Sequence, residues 1–137
     1  MAQFEDCIVF LLAKAYQKAH GEFKKRIQRF GLTPIQHLIL EVLWEEEGLS
    51  AKDIAKKLVL DNATLSGVLD RMMTGNWILK ETDPEDKRLL RINLSDEAKR
   101  LKPTLLAERK QINDEILSQL TVEEKIVLKR LLRDVQG

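Results

Sequence analysis

Asn62, Thr64, Ser66, Gly67, Asp70 and Arg71 crowd into one short stretch and carry groups able to read a hydrogen-bonding surface. Wound as a helix, the segment turns them toward solvent at its start and along one broad side. Short donors and acceptors there, with a glycine permitting close approach, suit a helix whose N-terminal turns enter the major groove of DNA. A solvated polar face on an ordinary capped helix is the alternative, and this segment alone leaves both open. A second cluster follows at Asp86, Lys87 and Arg88, in the polar turn Asp83-Pro84-Glu85-Asp86-Lys87. A cation on a protruding hairpin fits a minor groove, where narrow walls concentrate negative potential. Asp86 is placed to orient Arg88 by a carboxylate–guanidinium contact. The competing reading is a salt-bridged, solvated hairpin, for which Asp83, Glu85 and Asp86 supply the acids.

Other reactive residues are isolated. The chain has one cysteine, Cys7, and two histidines, His20 and His37. That is too little for a disulfide framework or a zinc cluster, so no metal ligand set is expected. An enzyme, such as a thiol peroxidase using Cys7, requires an activated thiol. No histidine, acid or helix N-terminus is evidently placed to provide one, so no catalytic residue is assigned. No cofactor signature is evident. Asn62-Ala63-Thr64 and Asn93-Leu94-Ser95 match the glycosylation pattern by chance, since no secretion signal precedes them.

These clusters need elements to hold them, and periodicity supplies them. Gln3 to Phe30 reads as one long helix with Phe4, Cys7, Ile8, Leu11, Leu12, Ala15, Phe23, Ile27 and Phe30 on its apolar stripe. Gly21 marks an expected bend and Gly31 the stop. Thr33-Pro34-Ile35-Gln36 opens a second helix with a capping box, and Gly48 ends it. Two short helices follow, Ala51 to Leu58 capped by Ser50, and Asn62 to about Met73 capped by Asp61 or Asn62 and closed by Gly75. Ala55 sits where they should cross, with Ile54, Leu58, Leu60, Leu65, Val68 and Leu69 as their shared core. Ser50, Lys52 and Lys56 on the first of the pair are candidate contacts to the DNA backbone. After Gly75 the period becomes two: Leu90, Ile92 and Leu94 alternate with Arg91 and Asn93, and Trp77 to Thr82 is the partner strand. Ala98, Leu101, Leu105, Ile112, Ile116 and Leu120 then form a helical stripe, and Thr121-Val122-Glu123-Glu124 caps a last helix through Val135.

The fold class expected is therefore mainly α with a small β-hairpin wing, a winged helix-turn-helix in the order ααααββαα. A length of 137 residues with 44% apolar content favours one domain. Within it, 33–95 form the winged unit, and 1–32 with 96–137 form dimerisation helices. A net charge of +1 is uninformative, so any nucleic-acid claim rests on where the charges lie. No apolar run approaches the roughly 20 residues that span a bilayer, and the expected compartment is the cytoplasm.

The succession LTPIQ, then LSAKDIAKKLVLDNATLSGVLDRM, then GNWILKETDPEDKRLLRINLS resembles the MarR family of bacterial transcriptional regulators. The resemblance runs over nearly the whole chain. It implies a homodimer built by the terminal helices and a pseudo-palindromic double-stranded operator, with recognition helices about one DNA turn, roughly 34–36 Å, apart. It further implies repression as the commoner mode and release by a small phenolic or anionic effector, or by cysteine oxidation. FLLAKAY and LILEVLWEEE bring the chain nearest the organic-hydroperoxide-sensing branch. Without gaps, Val9 falls at that branch's sensing position and Cys7 lies two residues earlier, roughly 200° around a helix. Cys7 is thus a redox candidate on the wrong face, its plainer role being a small apolar residue in the dimer interface. A ligand site is expected between the dimer helices and the winged unit, with Tyr16, His37 and Trp44 as lining candidates and core packing as their alternative. Glu85 departs from the family, where arginine is common, and an acid near phosphate is repulsive. It motivates a second function reading, a winged protein-interaction module without specific DNA binding.

Overall fold

The computed structural model describes residues 3–58 and 60–137. Its contacts divide the chain into two units, 27–106 and a second made of the residues up to Arg26 with Ala107–Gly137. The order is that expected: helices α1 (Ile8–Ile27), α2 (Pro34–Glu45), α3 (Ala51–Leu58) and α4 (Asn62–Thr74), strands β1 (Ile78–Thr82) and β2 (Leu90–Leu94), then α5 (Asp96–Ile116) and α6 (Val122–Gln136).

In the unit 27–106, helix starts are fixed by reciprocal caps. Thr33 accepts from the Gln36 N–H at 3.3 Å, while the Gln36 side chain accepts from the Thr33 N–H at 3.0 Å. Ser50 and Asp53 repeat the exchange at the start of α3, at 3.1 and 3.3 Å. Each such pair satisfies two donors that a helix start would leave unbonded. The core is apolar and fully enclosed: Ile39, Leu40 and Leu43 from α2, Ile54 from α3, Leu65, Leu69 and Met72 from α4, and Ile78 and Ile92 from the strands. Ala55 is buried at the expected crossing, whereas Leu58 and Leu60 are only half-buried.

Gly75 ends α4 as expected, but the left-handed residue is its neighbour. Gly75 is the C-cap with an unremarkable φ of −79°, and Asn76 takes the left-handed conformation at φ 61°. The Trp77 N–H reaches the Met72 carbonyl at 2.9 Å and the Asn76 N–H reaches Met73 at 3.1 Å, the paired bonds of a Schellman stop. Asparagine tolerates this region because its short polar side chain bonds locally. Gly75 is small for another reason: a Cβ there would meet the Trp77 ring at 3.2 Å.

β1 and β2 pair antiparallel, with Ile78 opposite Leu94 and Thr82 opposite Leu90. Ile92 and Leu94 are buried, but Leu90 is 46% exposed because the outer end of the hairpin runs past the core. The loop after α2 also joins the sheet. Ile92 donates to Leu49 at 2.8 Å and accepts from the Gly48 N–H at 2.9 Å. Gly48 stands in the left-handed region at φ 78°, three residues beyond the end of α2, so it shapes this pairing rather than the helix end.

The other unit contains most of α1, the last part of α5, and α6. The expected helix from Gln3 to Phe30 is broken: a 3-10 turn at Phe4–Asp6 precedes α1 and another at Gln28–Phe30 follows it. Cys7 is extended at φ −68° and ψ 127°, which ends the first turn, and Gly31 at φ 75° ends the second. Gly21 produces no break, and α1 is continuous through it. Arg26 of α1 forks to Glu108 at 3.1 Å and Glu115 at 2.9 Å on α5. Thr121 and Glu124 form the expected capping box of α6.

Leu65 has no exposed surface and lies between the short helices. Leu65→Ala should cost about 2–5 kcal/mol, the range for emptying a sealed apolar site. Urea unfolding followed by circular dichroism would measure it, as a lower midpoint at unchanged slope.

Candidate nucleic-acid interface

Helix α4 is capped by Asp61, whose carboxylate holds one residue twice. Oδ1 accepts from the Thr64 N–H at 2.7 Å and Oδ2 from the Thr64 hydroxyl at 2.8 Å. Those two bonds from Thr64 hold the Asp61 carboxyl below the usual carboxylate range. Beyond the cap, Asn62, Thr64, Ser66, Asp70 and Arg71 are exposed and Gly67 is half-buried, while Leu65, Val68, Leu69 and Met72 face inward. A Cβ on Gly67 would lie 3.6 Å from Arg71 Nη1, an ordinary contact. The packing therefore does not demand glycine there. Asp70 is engaged within the protein, accepting from Lys80 of β1 at 3.3 Å.

Lys52 and Lys56 are exposed on α3 and line, with Ala55, Leu60, Asp61 and Asn62, an open depression of about 600 Å³. The Ser50 hydroxyl serves the cap of α3 by accepting from Asp53.

The hairpin turn is organised from Asp83, which is buried although it carries a charge. Its Oδ1 accepts from the Glu85 N–H at 2.7 Å and the Asp86 N–H at 3.2 Å, and its Oδ2 accepts from Arg91 Nε at 2.6 Å. The same guanidinium donates to the Gly48 carbonyl at 2.8 Å. Hydrogen bonds from Glu85 foremost, then from Arg91, hold the Asp83 carboxyl below its usual range. At the tip, Asp86 Oδ1 accepts from the Arg88 N–H at 3.0 Å and more loosely from Arg88 Nε at 3.4 Å. Arg88 extends into solvent with its side chain 93% exposed, and Lys87 is exposed beside it. Asp83 and Arg91 were missed as a functional pair by sequence reasoning. The Asp-Pro start of the turn was the available signal, because aspartate readily bonds backbone N–H groups two residues on.

The remaining candidates do not converge. His37 is fully buried, its Nδ1 3.1 Å from the Glu41 carboxylate, and its ring meets Trp44 edge-on at 5.9 Å. Trp44 Nε1 donates to the Ala98 carbonyl at 3.2 Å, so both aromatic groups serve packing within the unit 27–106. Tyr16 belongs to the other unit, is 66% exposed and stacks on half-buried His20 at 5.3 Å. Cys7 is exposed in this chain, and the Leu11 N–H donates to its carbonyl at 3.0 Å. It thus stands at the start of α1, where no helix N-terminus was expected near the thiol. Among the described residues no cluster suited to a metal ion occurs, and no helix is long and apolar enough to cross a membrane.

A MarR family model matches residues 32–90, from just before α2 to the first residue of β2. The HTH-type transcriptional regulator MgrA of Staphylococcus aureus is 32% identical over 130 residues, covering 93% of this chain and 86% of MgrA. The chain belongs to the MarR family of transcriptional regulators. The HTH-type transcriptional regulator TtmR of Methylorubrum extorquens is 37% identical over 94 residues, 69% of this chain and 47% of TtmR, so the chain spans about half the length of that relative. Among solved structures, BpsR of Bordetella bronchiseptica superposes with a TM-score of 0.92 at 26% identity, covering 100% of this chain and 98% of the other. The MarR-type order of helix pair followed by wing is therefore carried by both sequence and fold.

Because the wing of this MarR-family chain is built on an ionised Asp83, acid should loosen it. A carboxyl lowered in the fold contributes its full stability above the unfolded value, about 3.9. That contribution fades as pH falls through the lower folded value. Asp83→Asn should therefore lower stability near neutrality and flatten its further loss as pH falls below about 4. Denaturant melts across this range would check the slope.

Proposed function

We propose that the chain is a repressor that binds a pseudo-palindromic operator as a homodimer, reading bases with α4 and gripping the minor groove with the wing. The observation that carries this is the exposed polar start of α4, anchored by its cap and underlain by a sealed apolar core, in the same unit as a braced hairpin with solvent-exposed Arg88 at its tip. In this reading Asn62, Thr64, Ser66 and Arg71 face the major groove, while Lys52 and Lys56 neutralise phosphates. Resident catalysis has no place in it, and the cytoplasm, where DNA is met, is the working compartment.

A second copy of the chain is the partner that exposed apolar residues support. Phe4, Ile8, Val9 and Leu11 at the N-terminal end, and Val122, Ile126, Leu131 and Val135 on α6, leave large apolar side chains in solvent. Surfaces of that kind mark association sites. Release by a small anionic or phenolic effector is supported by likeness to BpsR, whose DNA binding is regulated by 6-hydroxynicotinic acid. The second reading, an interaction module without specific DNA binding, draws on Glu85 and the net charge of +1.

Mobility shift with the chain's own upstream DNA separates the two. The regulator should bind it far more tightly than random duplex at physiological salt, and equal affinity for both would favour the module. Arg88→Ala should weaken binding to every sequence and reduce the salt slope by about one per subunit, whereas Asn62→Ala or Ser66→Ala should change base preference. In sedimentation, Ile126→Glu should weaken self-association by about 3 kcal/mol, because a two-fold interface counts each buried side chain twice.

A further inference from the structure

The two hydrogen bonds from Thr64 to Asp61 limit what α4 can read. The Asp61 carboxylate is ionised at neutral pH and can only accept, so in the 2.8 Å contact the Thr64 hydroxyl is the donor. A hydroxyl carries a single proton, and this one is spent inside the protein. The backbone N–H of Thr64 is likewise spent on Asp61 at 2.7 Å. Thr64 is nonetheless exposed, at the third residue of α4. What its oxygen offers outward is therefore lone pairs only.

We infer that Asp61 is a specificity-determining residue: by taking the Thr64 proton it makes the Thr64 hydroxyl an obligate acceptor, which selects a base whose exocyclic amino group lies in the major groove, adenine or cytosine, on the strand it faces. In the major groove adenine N6 and cytosine N4 donate, whereas guanine N7 and O6 and thymine O4 accept and would meet lone pairs with lone pairs. Arg71, a donor only, has the opposite sign and suits guanine or thymine. Asp61 itself need not touch the DNA. It is a positioning residue whose carboxylate also offsets the positive end of the α4 dipole, so that the helix start has little attraction for phosphate. The inference rests on the DNA-reading role of α4 proposed above.

The test is selection of bound sequences from a randomised duplex pool, using the full chain and three variants. Wild type should favour adenine or cytosine over guanine or thymine by about tenfold at one position per half-site, the scale of one good hydrogen bond. Thr64→Ser should keep that preference and Thr64→Val should erase it at that position alone. Asp61→Asn is the decisive variant. Asparagine caps as well as aspartate, so the helix start persists and thermal melting should change little. Its amide N–H, however, now donates to the Thr64 oxygen and frees the hydroxyl proton, so preference should move toward guanine or thymine. An unaltered preference in Asp61→Asn, or guanine or thymine selected by wild type at the Thr64-dependent position, overturns the inference while DNA reading stands. A pool in which wild type enriches no sequence overturns both.

Discussion

Ile92 is the point on which the helix pair and the wing both depend. Its side chain is sealed in the core, and its N–H and carbonyl are both bonded to the loop at Gly48 and Leu49. On its other side it lies opposite Lys80 in the hairpin. Its buried side chain thus fixes which face of β2 turns inward, and its backbone bonds fix the loop before α3 against β2. A slip of one residue would turn Ile92 and Leu94 to solvent and bring Arg91 and Asn93 inward. The burial of polar groups without partners makes that alternative costly.

Around this fixed point the structure separates two kinds of polar group. Some are consumed in building the scaffold: Thr33 and Gln36, Ser50 and Asp53, Asp83 and Arg91. Others reach solvent with chemistry to spare, notably Asn62 and Ser66 on α4 and Arg88 on the wing. Asp61 and Thr64 belong to both groups, exposed yet bonded to each other, and their internal pairing decides what remains for a partner. Residue type alone does not distinguish these groups. A serine that caps and a serine left open to solvent are written with the same letter.

What the sequence made legible follows from range. Caps join residues three apart, so Thr33-Gln36 and Thr121-Glu124 were readable directly. The alternation of Ile92 and Leu94 and the family motifs of α4 and the turn were local too. The break at Cys7 was hidden because 3-10 turns nearly preserve the apolar spacing of a helix. Asn76 was hidden by its neighbour Gly75, the residue that ordinarily takes the left-handed stop. The Arg91 brace was least legible: its acid lies eight residues away and its carbonyl 43, and nothing in β2 marks this arginine from other outward polar residues. Exposure of Leu90 followed from the length of the hairpin relative to the core, which no strand pattern encodes.

The Arg91 brace also bears on modularity. A two-stranded hairpin is marginal by itself in water. Here its turn is held by a guanidinium whose other hand grips the Gly48 carbonyl, and the Leu94 N–H donates to the Glu47 side chain at 2.8 Å. The wing is thus a composite of 47–49 with 78–94, two pieces that only the folded chain brings together. As a unit for transplantation into another scaffold, the hairpin alone is incomplete. It travels with the short loop after α2 or leaves its geometry behind.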